Sequence, residues 1–213
     1  MLLTEFDANR QAIINPEALH EPLEGFPKIA VSCFSRLTFQ RMLEMFPHEL
    51  IYETSMANVA IPIYKLVIDD NELAIFNAPV GSSACVGILE DIFVLGADKL
   101  VLFGTCGVLD EDIKETSIII PSHALRDEGT SFHYVEASDE IAVNVGVLDH
   151  FRSYLNERQI SHKEGKVWTT DGIYRETNGK LKARKAAGAI CVDMECSAAV
   201  SYTHLRAHET CAD

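Results

Sequence analysis

Short apolar runs alternate along this chain with segments whose apolar residues recur at helical spacing, and few folds accommodate that alternation. Lys28-Ile29-Ala30-Val31-Ser32-Cys33-Phe34 is a β-branched apolar run. Residues 36–46 follow with Leu37, Phe39, Met42, Leu43 and Phe46 on one helical face. Residues 58–68 and 72–77 read as two strands joined across Asp69-Asp70-Asn71. Residues 82–95 read as a buried helix ended by Gly96. Further strands are predicted at 99–103, at 116–120 (stopped by Pro121), at 167–170 and at 189–192. Helices are predicted at 140–159, the longest, and at 178–187. Apolar strands with helices between them predict a three-layer α/β/α domain around a mixed, largely parallel central sheet.

A chain of 213 residues with 47% apolar content can bury a sizeable single core. Its formal charge of −14 repels phosphate backbones, which argues against nucleic acid as a partner. A small anion remains compatible, because local donors outweigh the global field at contact distance. No apolar run is long enough to span a membrane, and the first residues lack the basic and apolar regions of a signal peptide. Six cysteines without a CxxC pair fit reduced thiols in a cytoplasmic protein. The eight histidines show no metal-ligand spacing beyond His204 and His208, and no metal is expected.

In a parallel sheet the ligand sits at the carboxyl ends of the strands. The candidate motifs follow predicted strands: Cys33 to Arg36, Ala78 to Ser83, Gly104 to Gly107, Asp171 to Arg175 and Asp193 to Glu195. They are predicted to share one sheet edge. Ser35-Arg36 opens a helix, and amides at a helix start with a guanidinium suit a dianion. Pro79-Val80-Gly81-Ser82-Ser83 lets backbone approach an anion, though such a turn also serves as a plain helix cap. Asp193-Met194-Glu195 places carboxylates beside a thioether, which suits a sugar: the acid accepts from adjacent hydroxyls and the methionine packs on the ring. The same acids would also suit the dipole of a helix's first turn. Tyr174 can stack on a nucleobase and Arg175 can donate to a carbonyl, or the pair can serve as core and surface cap.

Taken together, Asp193-Met194-Glu195, Gly104-Thr105-Cys106-Gly107 and Ser35-Arg36 resemble the site of the nucleoside phosphorylase/nucleosidase family, nearest its uridine phosphorylase branch. The resemblance runs over nearly all of residues 1–200. It implies phosphate binding by Arg36, Gly81 and Thr105, with Arg126 compensating for absent arginines. It implies ribose binding by Met194 and Glu195, and base contacts from Cys106, Gly107, Tyr174 and Arg175. The implied reaction is a pentosyl transfer: phosphate captures C1 of an oxocarbenium-like ribose and releases the base, with uridine as the expected substrate. Phosphate would be the co-substrate, and no metal or organic cofactor is implied. The family also implies nucleotide salvage, a cytoplasmic location and a homo-oligomer, dimer to hexamer.

The chain departs from the family pattern in two places. Leu102 stands where an arginine usually precedes the first glycine, and residues 52–64 offer no arginine to lend a neighbouring subunit. Two missing guanidiniums remove several kcal/mol of anion binding, at ~1.5–3 kcal/mol for each charged hydrogen bond. Water is therefore an alternative nucleophile, as in a hydrolytic nucleosidase. The purine branch uses an aspartate beyond Val200, so a purine nucleoside also stays open. Residues 201–213 lose the apolar periodicity and read as a non-native tail on a domain incomplete at its C-terminus. An incomplete chain could also bind nucleoside without turning it over.

Overall fold

The computed structural model describes residues 2–114 and 117–207, in two units with one five-stranded sheet each. The first unit spans Asn9–Val80 and Ala84–Thr105. It holds β1 (Ile29–Cys33), α1 (Arg36–Met45), β2 (His48–Met56), β3 (Val59–Ile68), β4 (Asn71–Phe76), most of α2 (Ser82–Leu95) and β5 (Lys99–Phe103). The strand order is β2-β3-β4-β1-β5. β1 runs parallel to β4 and β5, while β2, β3 and β4 form an antiparallel meander.

The predicted hairpin closes where expected, through Asp69 (φ 47°) and Asp70 (φ 63°). Aspartate tolerates that left-handed region better than most side chains. α2 is buried nearly all round, with Val86, Ile88, Leu89, Ile92 and Leu95 at 0% exposure, as an apolar helix without a polar face must be. β2 has no counterpart in the sequence reading. It is an edge strand, His48-Glu49-Leu50-Ile51-Tyr52-Glu53-Thr54-Ser55-Met56, whose charged and polar residues hide the apolar alternation.

The second unit takes in the chain up to Ala8, Gly81–Ser83 and everything described from Cys106 onward. Its elements are β6 (Gly107–Val108), β7 (Ile118–Asp127), β8 (Glu140–Ala142), α3 (Val145–Glu157), β9 (His162–Thr170), α4 (Asn178–Ala186), β10 (Ala189–Asp193) and α5 (Cys196–Ala207). The order is β6-β10-β9-β7-β8, with β7, β9 and β10 parallel and the two edge strands antiparallel. Trp168 is fully buried on this sheet, against Leu125, Ala189 and Val192. Burying such a ring dominates a local core, since it removes roughly 150–250 Å² from water.

The α/β class therefore stands, but the strands form two mixed sheets rather than one, and the five motifs divide between them. Two element boundaries also differ. Pro121 does not stop β7; the strand passes through it with a register shift between Pro121 and His123. An irregularity of that kind tolerates the missing N–H. The long helix predicted over 140–159 begins only at Val145, where Asn144 caps it by accepting from the Val147 N–H at 3.1 Å. Residues Glu140–Ala142 pair with β7 instead, and α2 is the longer helix, at 14 residues against 13. α5 crosses the boundary drawn at residue 200. Ser201 and Tyr202 are buried, the Ser201 hydroxyl donates to the Ser197 carbonyl at 2.8 Å, and Tyr202 meets Tyr134 edge-on. The rest of the expected tail, 208–213 with His208, lies outside the described residues. Among the described residues no helix is long and apolar enough to cross a membrane, and no cluster of three His, Cys, Asp or Glu could hold a metal.

Candidate functional site

In the first unit, the turns after β1 and β5 lie side by side because the strands pair in register, Cys33 opposite Phe103. The Phe34 N–H continues the ladder to the Phe103 carbonyl at 3.3 Å. A side chain on Gly104 would meet the Phe34 ring at 3.0 Å, so glycine lets the two turns approach. Ser35 caps α1, its hydroxyl accepting from the Thr38 N–H at 3.3 Å. Arg36 is the first helical residue and is exposed, and Thr105 is exposed on the turn after β5. Two of the predicted phosphate residues are thus brought to neighbouring turns, next to the free amides of a helix start.

In the second unit, the Gly81 N–H donates to Glu195 Oε1 at 2.6 Å, and the Ser82 hydroxyl donates to the Met194 carbonyl at 2.7 Å. Gly81 sits at φ +104°, a conformation that side-chain-bearing residues rarely adopt. Glu195 is 8% exposed, and burial raises its carboxyl above the ordinary range against the opposing Gly81 and Met194 N–H bonds. This corrects the expected role of Gly81. Its amide, assigned to phosphate on the sequence, is taken by the nearest built-in anion, the Glu195 carboxylate. Ser82 was not singled out as a ligand partner in the sequence, because a serine at a helix start reads first as a cap.

Asp193 closes β10 and opens α5. Its carboxylate accepts from the Thr169 hydroxyl at 2.7 Å and from the Cys196 N–H at 2.8 Å. The Thr169 oxygen in turn accepts from the Ser197 N–H at 3.0 Å. Removal from water pushes Asp193 up to about 7, with Glu195 adding to the rise and the two hydrogen bonds opposing it. A carboxyl raised in the folded state binds protons there that the unfolded chain has lost. Stability therefore falls as pH rises from about 4 to about 7, a cost of order 2–4 kcal/mol. Asp193→Asn should accordingly raise the melting temperature at pH 8 and leave it nearly unchanged at pH 4. Thermal melts across that range check the prediction, and equal shifts at both ends would contradict it.

Arg126 turns out to be a structural side chain. Its Nε donates to the Ser131 hydroxyl at 2.8 Å, Nη1 to the Glu136 carbonyl at 2.7 Å and the Ser138 hydroxyl at 2.8 Å, and Nη2 to the Val135 carbonyl at 3.4 Å. The guanidinium also lies over the Phe132 ring at 4.1 Å. At 6% exposure, with most of its donors engaged by its own loop, it organises residues 131–138. That arrangement corrects the expectation of a phosphate ligand. Its neighbour Asp127 is built in too, accepting from Trp168 Nε1 (2.9 Å), Lys180 (3.0 Å) and Arg184 (3.3 Å). Burial alone would raise the Asp127 carboxyl, but these donors outweigh it and leave it below the usual range.

Sequence reasoning also missed Glu128. It is 6% exposed, accepts from the Ser131 N–H at 3.0 Å and from the Ser197 hydroxyl at 2.8 Å, and so joins the loop after β7 to α5. Nothing in Asp127-Glu128-Gly129 distinguishes it from a solvated turn acid. The predicted base residues lie elsewhere in this unit. Tyr174 is 93% exposed on a single 3₁₀ turn with an exposed Arg175, which removes the core alternative for that ring. Cys106 is half-buried and Gly107 exposed at the start of β6, against β10.

A family model described as the phosphorylase superfamily matches residues 28–212. The chain belongs to the phosphorylase superfamily. Among curated relatives, a DeoD-type purine nucleoside phosphorylase of Brevibacillus brevis is 30% identical over 104 residues, 48% of this chain and 44% of that one. A guanosine phosphorylase of Halorubrum lacusprofundi is 22% identical over 135 residues, 62% of this chain and 56% of that one. The chain thus spans about half the length of the curated relatives it matches. Among solved structures, uridine phosphorylase from Vibrio fischeri superposes with a TM-score of 0.77 at 19% identity, covering 92% of this chain and 81% of that one. Purine nucleoside phosphorylase from Toxoplasma gondii gives 0.73 at 17% identity, covering 86% and 73%. At such identities these likenesses speak for the superfamily fold, which the mixed sheets and their helices share.

Proposed function

We propose that this phosphorylase superfamily chain cleaves the N-glycosidic bond of a ribonucleoside, using phosphate to give the free base and ribose 1-phosphate. The observation that carries the reading is the Glu195 carboxylate, buried at the end of β10 and tethered through one oxygen by the Gly81 amide. A tethered acid beside Met194 suits a ribose diol, because a fixed acceptor holds the sugar without losing further rotamer freedom. Arg36 and Thr105, on the neighbouring turns after β1 and β5, are assigned to phosphate. Tyr174 and Arg175 are assigned to the base, where donors would stabilise the leaving anion. Uridine is the favoured substrate, on the resemblance of the site motifs. The activity is that of a pentosyltransferase, with no cofactor beyond the phosphate co-substrate, in a cytoplasmic homo-oligomer.

A second reading follows from Leu102. Without the arginine usual at that position, phosphate is held by fewer charges and water can take its place. The two readings separate in one assay of base release from uridine, inosine and guanosine, each with and without phosphate. Phosphorolysis predicts release that rises with phosphate and yields ribose 1-phosphate. Equal rates without phosphate would instead establish hydrolysis. Nucleoside binding by calorimetry with no turnover would reject both in favour of a binding protein.

A further inference from the structure

We propose that Tyr52 is an acylation site, its phenol activated by a His20–Asp91 pair to take an acyl group from a small activated acyl donor. The three side chains meet inside the first unit. Tyr52, Thr54 and Met56 alternate onto one face of β2, and α2 covers that face. Met56 Cε lies 3.3 Å from where a side chain on Gly87 would begin, and Asp91 follows Gly87 one helical turn later. The Thr54 hydroxyl, on a residue 2% exposed, donates to Asp91 Oδ2 at 2.6 Å. His20 comes from the segment before β1, where its N–H donates to the Pro16 carbonyl of a single 3₁₀ turn at 3.0 Å. Its Nε2 lies 3.1 Å from Asp91 Oδ1, and its Nδ1 lies 3.1 Å from the Tyr52 hydroxyl.

These distances assign the protons. A carboxylate only accepts, so Nε2 of His20 carries its hydrogen toward Asp91. In the neutral ring Nδ1 is then a lone pair, and the Tyr52 O–H donates to it. A hydroxyl, an imidazole and a carboxylate joined in that order, each about 2.6–3.2 Å from the next, make a nucleophile with its base and the group that orients the base. The Thr54 bond and burial hold the orienting end still, with the His20 and Asp91 side chains 15% and 14% exposed. Tyr52 is half-buried, so a small reagent can reach the phenol. None of these groups is assigned to nucleoside or phosphate.

The acyl carbon of R–CO–X takes an electron pair from the Tyr52 oxygen as the phenolic proton passes to His20 Nδ1, and Asp91 steadies the imidazolium. The C–X bond then breaks, and X leaves with the bonding pair and takes the proton from His20. A Tyr52 ester and HX result, with no change of oxidation state. A neutral donor fits better than a phosphoryl donor, since Glu49 and Glu53 are exposed on the same strand and the chain carries a formal charge of −14. The ester has no O–H left to donate, so acylation cuts the link between β2 and the segment that carries His20. The reaction stands whether or not the protein cleaves nucleosides.

The test is N-acetylimidazole, a neutral acetyl donor, added to the wild-type protein and to His20→Gln, Asp91→Asn and Tyr52→Phe, with peptide mapping over time. Tyr174, 93% exposed, is the unassisted reference in the same sample. A positioned base contributes about 10²–10⁴-fold and half-burial takes back part of it, so Tyr52 should acetylate at least about tenfold faster than Tyr174. His20→Gln should bring Tyr52 down to the Tyr174 rate or below it, Asp91→Asn should fall between, and neither should change Tyr174. Tyr52→Phe should lose the fast site alone. Melting curves establish which variants are folded, and Asp91→Asn, which keeps the shape of the carboxyl, carries the comparison if His20→Gln is not. A wild-type Tyr52 no faster than Tyr174 would overturn the proposal and leave the three side chains a structural clip. So would a Tyr52 rate unchanged in a folded His20 or Asp91 variant. Nucleoside assays on the same samples report on the proposed function separately.

Discussion

Glu195→Gln should lower kcat/KM for nucleoside cleavage by about two to four orders of magnitude while the protein stays folded. The carboxylate is assigned to two ribose hydroxyls, each hydrogen bond to a charged acceptor contributes about 1.5–3 kcal/mol, and the amide nitrogen that replaces one oxygen in glutamine cannot accept. Two such bonds amount to about 3–6 kcal/mol, at roughly 1.4 kcal/mol per tenfold in rate. The variant keeps an oxygen for the Gly81 N–H and nearly the same volume, so the local packing survives. Stability should move the opposite way from activity. Burial raises the Glu195 carboxyl, so its ionisation costs folding free energy as pH climbs from the ordinary carboxylate value through the raised one. Glutamine removes that slope, and the variant should melt no lower than wild type above neutral pH. Steady-state kinetics with the preferred nucleoside and melts at pH 5 and 8 check both halves. A variant with wild-type kcat/KM would remove Glu195 from the sugar site.

The elements that alternate cleanly in period were legible before the structure. α1, α2, β3, β4, β5 and β10 fall within a residue or two of their predicted limits, because a buried face imposes its period on the sequence. β2 and β8 were not legible. Both are antiparallel edge strands held by a neighbour's backbone, and their own side chains carry little apolar signal. Two sheets rather than one could not be read at all, since strand periodicity says nothing about which strands pair. At the site, the place of Asp193-Met194-Glu195 at the end of a strand was legible, because the apolar run before it stops at Asp193. Its supports, Ser82 and Thr169, were not, nor was Glu128, which holds Ser197 of α5, since each makes its contact with a residue far away in the chain. Gly81 and Arg126 show the converse. A glycine-rich turn and an arginine look like anion ligands in sequence, and the fold gives each an internal partner.

Arg126→Met carries the other large effect, and it falls on stability rather than on phosphate. The substitution keeps the length of an aliphatic stem and removes every donor. The Val135 and Glu136 carbonyls lose their guanidinium, and the Ser131 and Ser138 hydroxyls lose theirs. Glu128, whose charge the arginine offsets, stays 6% exposed with only neutral donors. Unsatisfied buried groups cost about 1–3 kcal/mol each, and an uncompensated buried charge about 3–5 kcal/mol. Hydroxyls can turn to new partners and loop carbonyls can reach water, so the net loss should be about 3–5 kcal/mol. For a chain of this size that is a fall of roughly 10 °C in melting temperature. Arg126→Lys should recover little, because an ammonium cannot serve three directions in a plane as the guanidinium does. A phosphate ligand would behave differently: its loss would raise the KM for phosphate many-fold and leave the melting temperature alone. Melts and phosphate titrations of the two variants separate these outcomes. An unchanged melting temperature with weakened phosphate dependence would return Arg126 to the anion site.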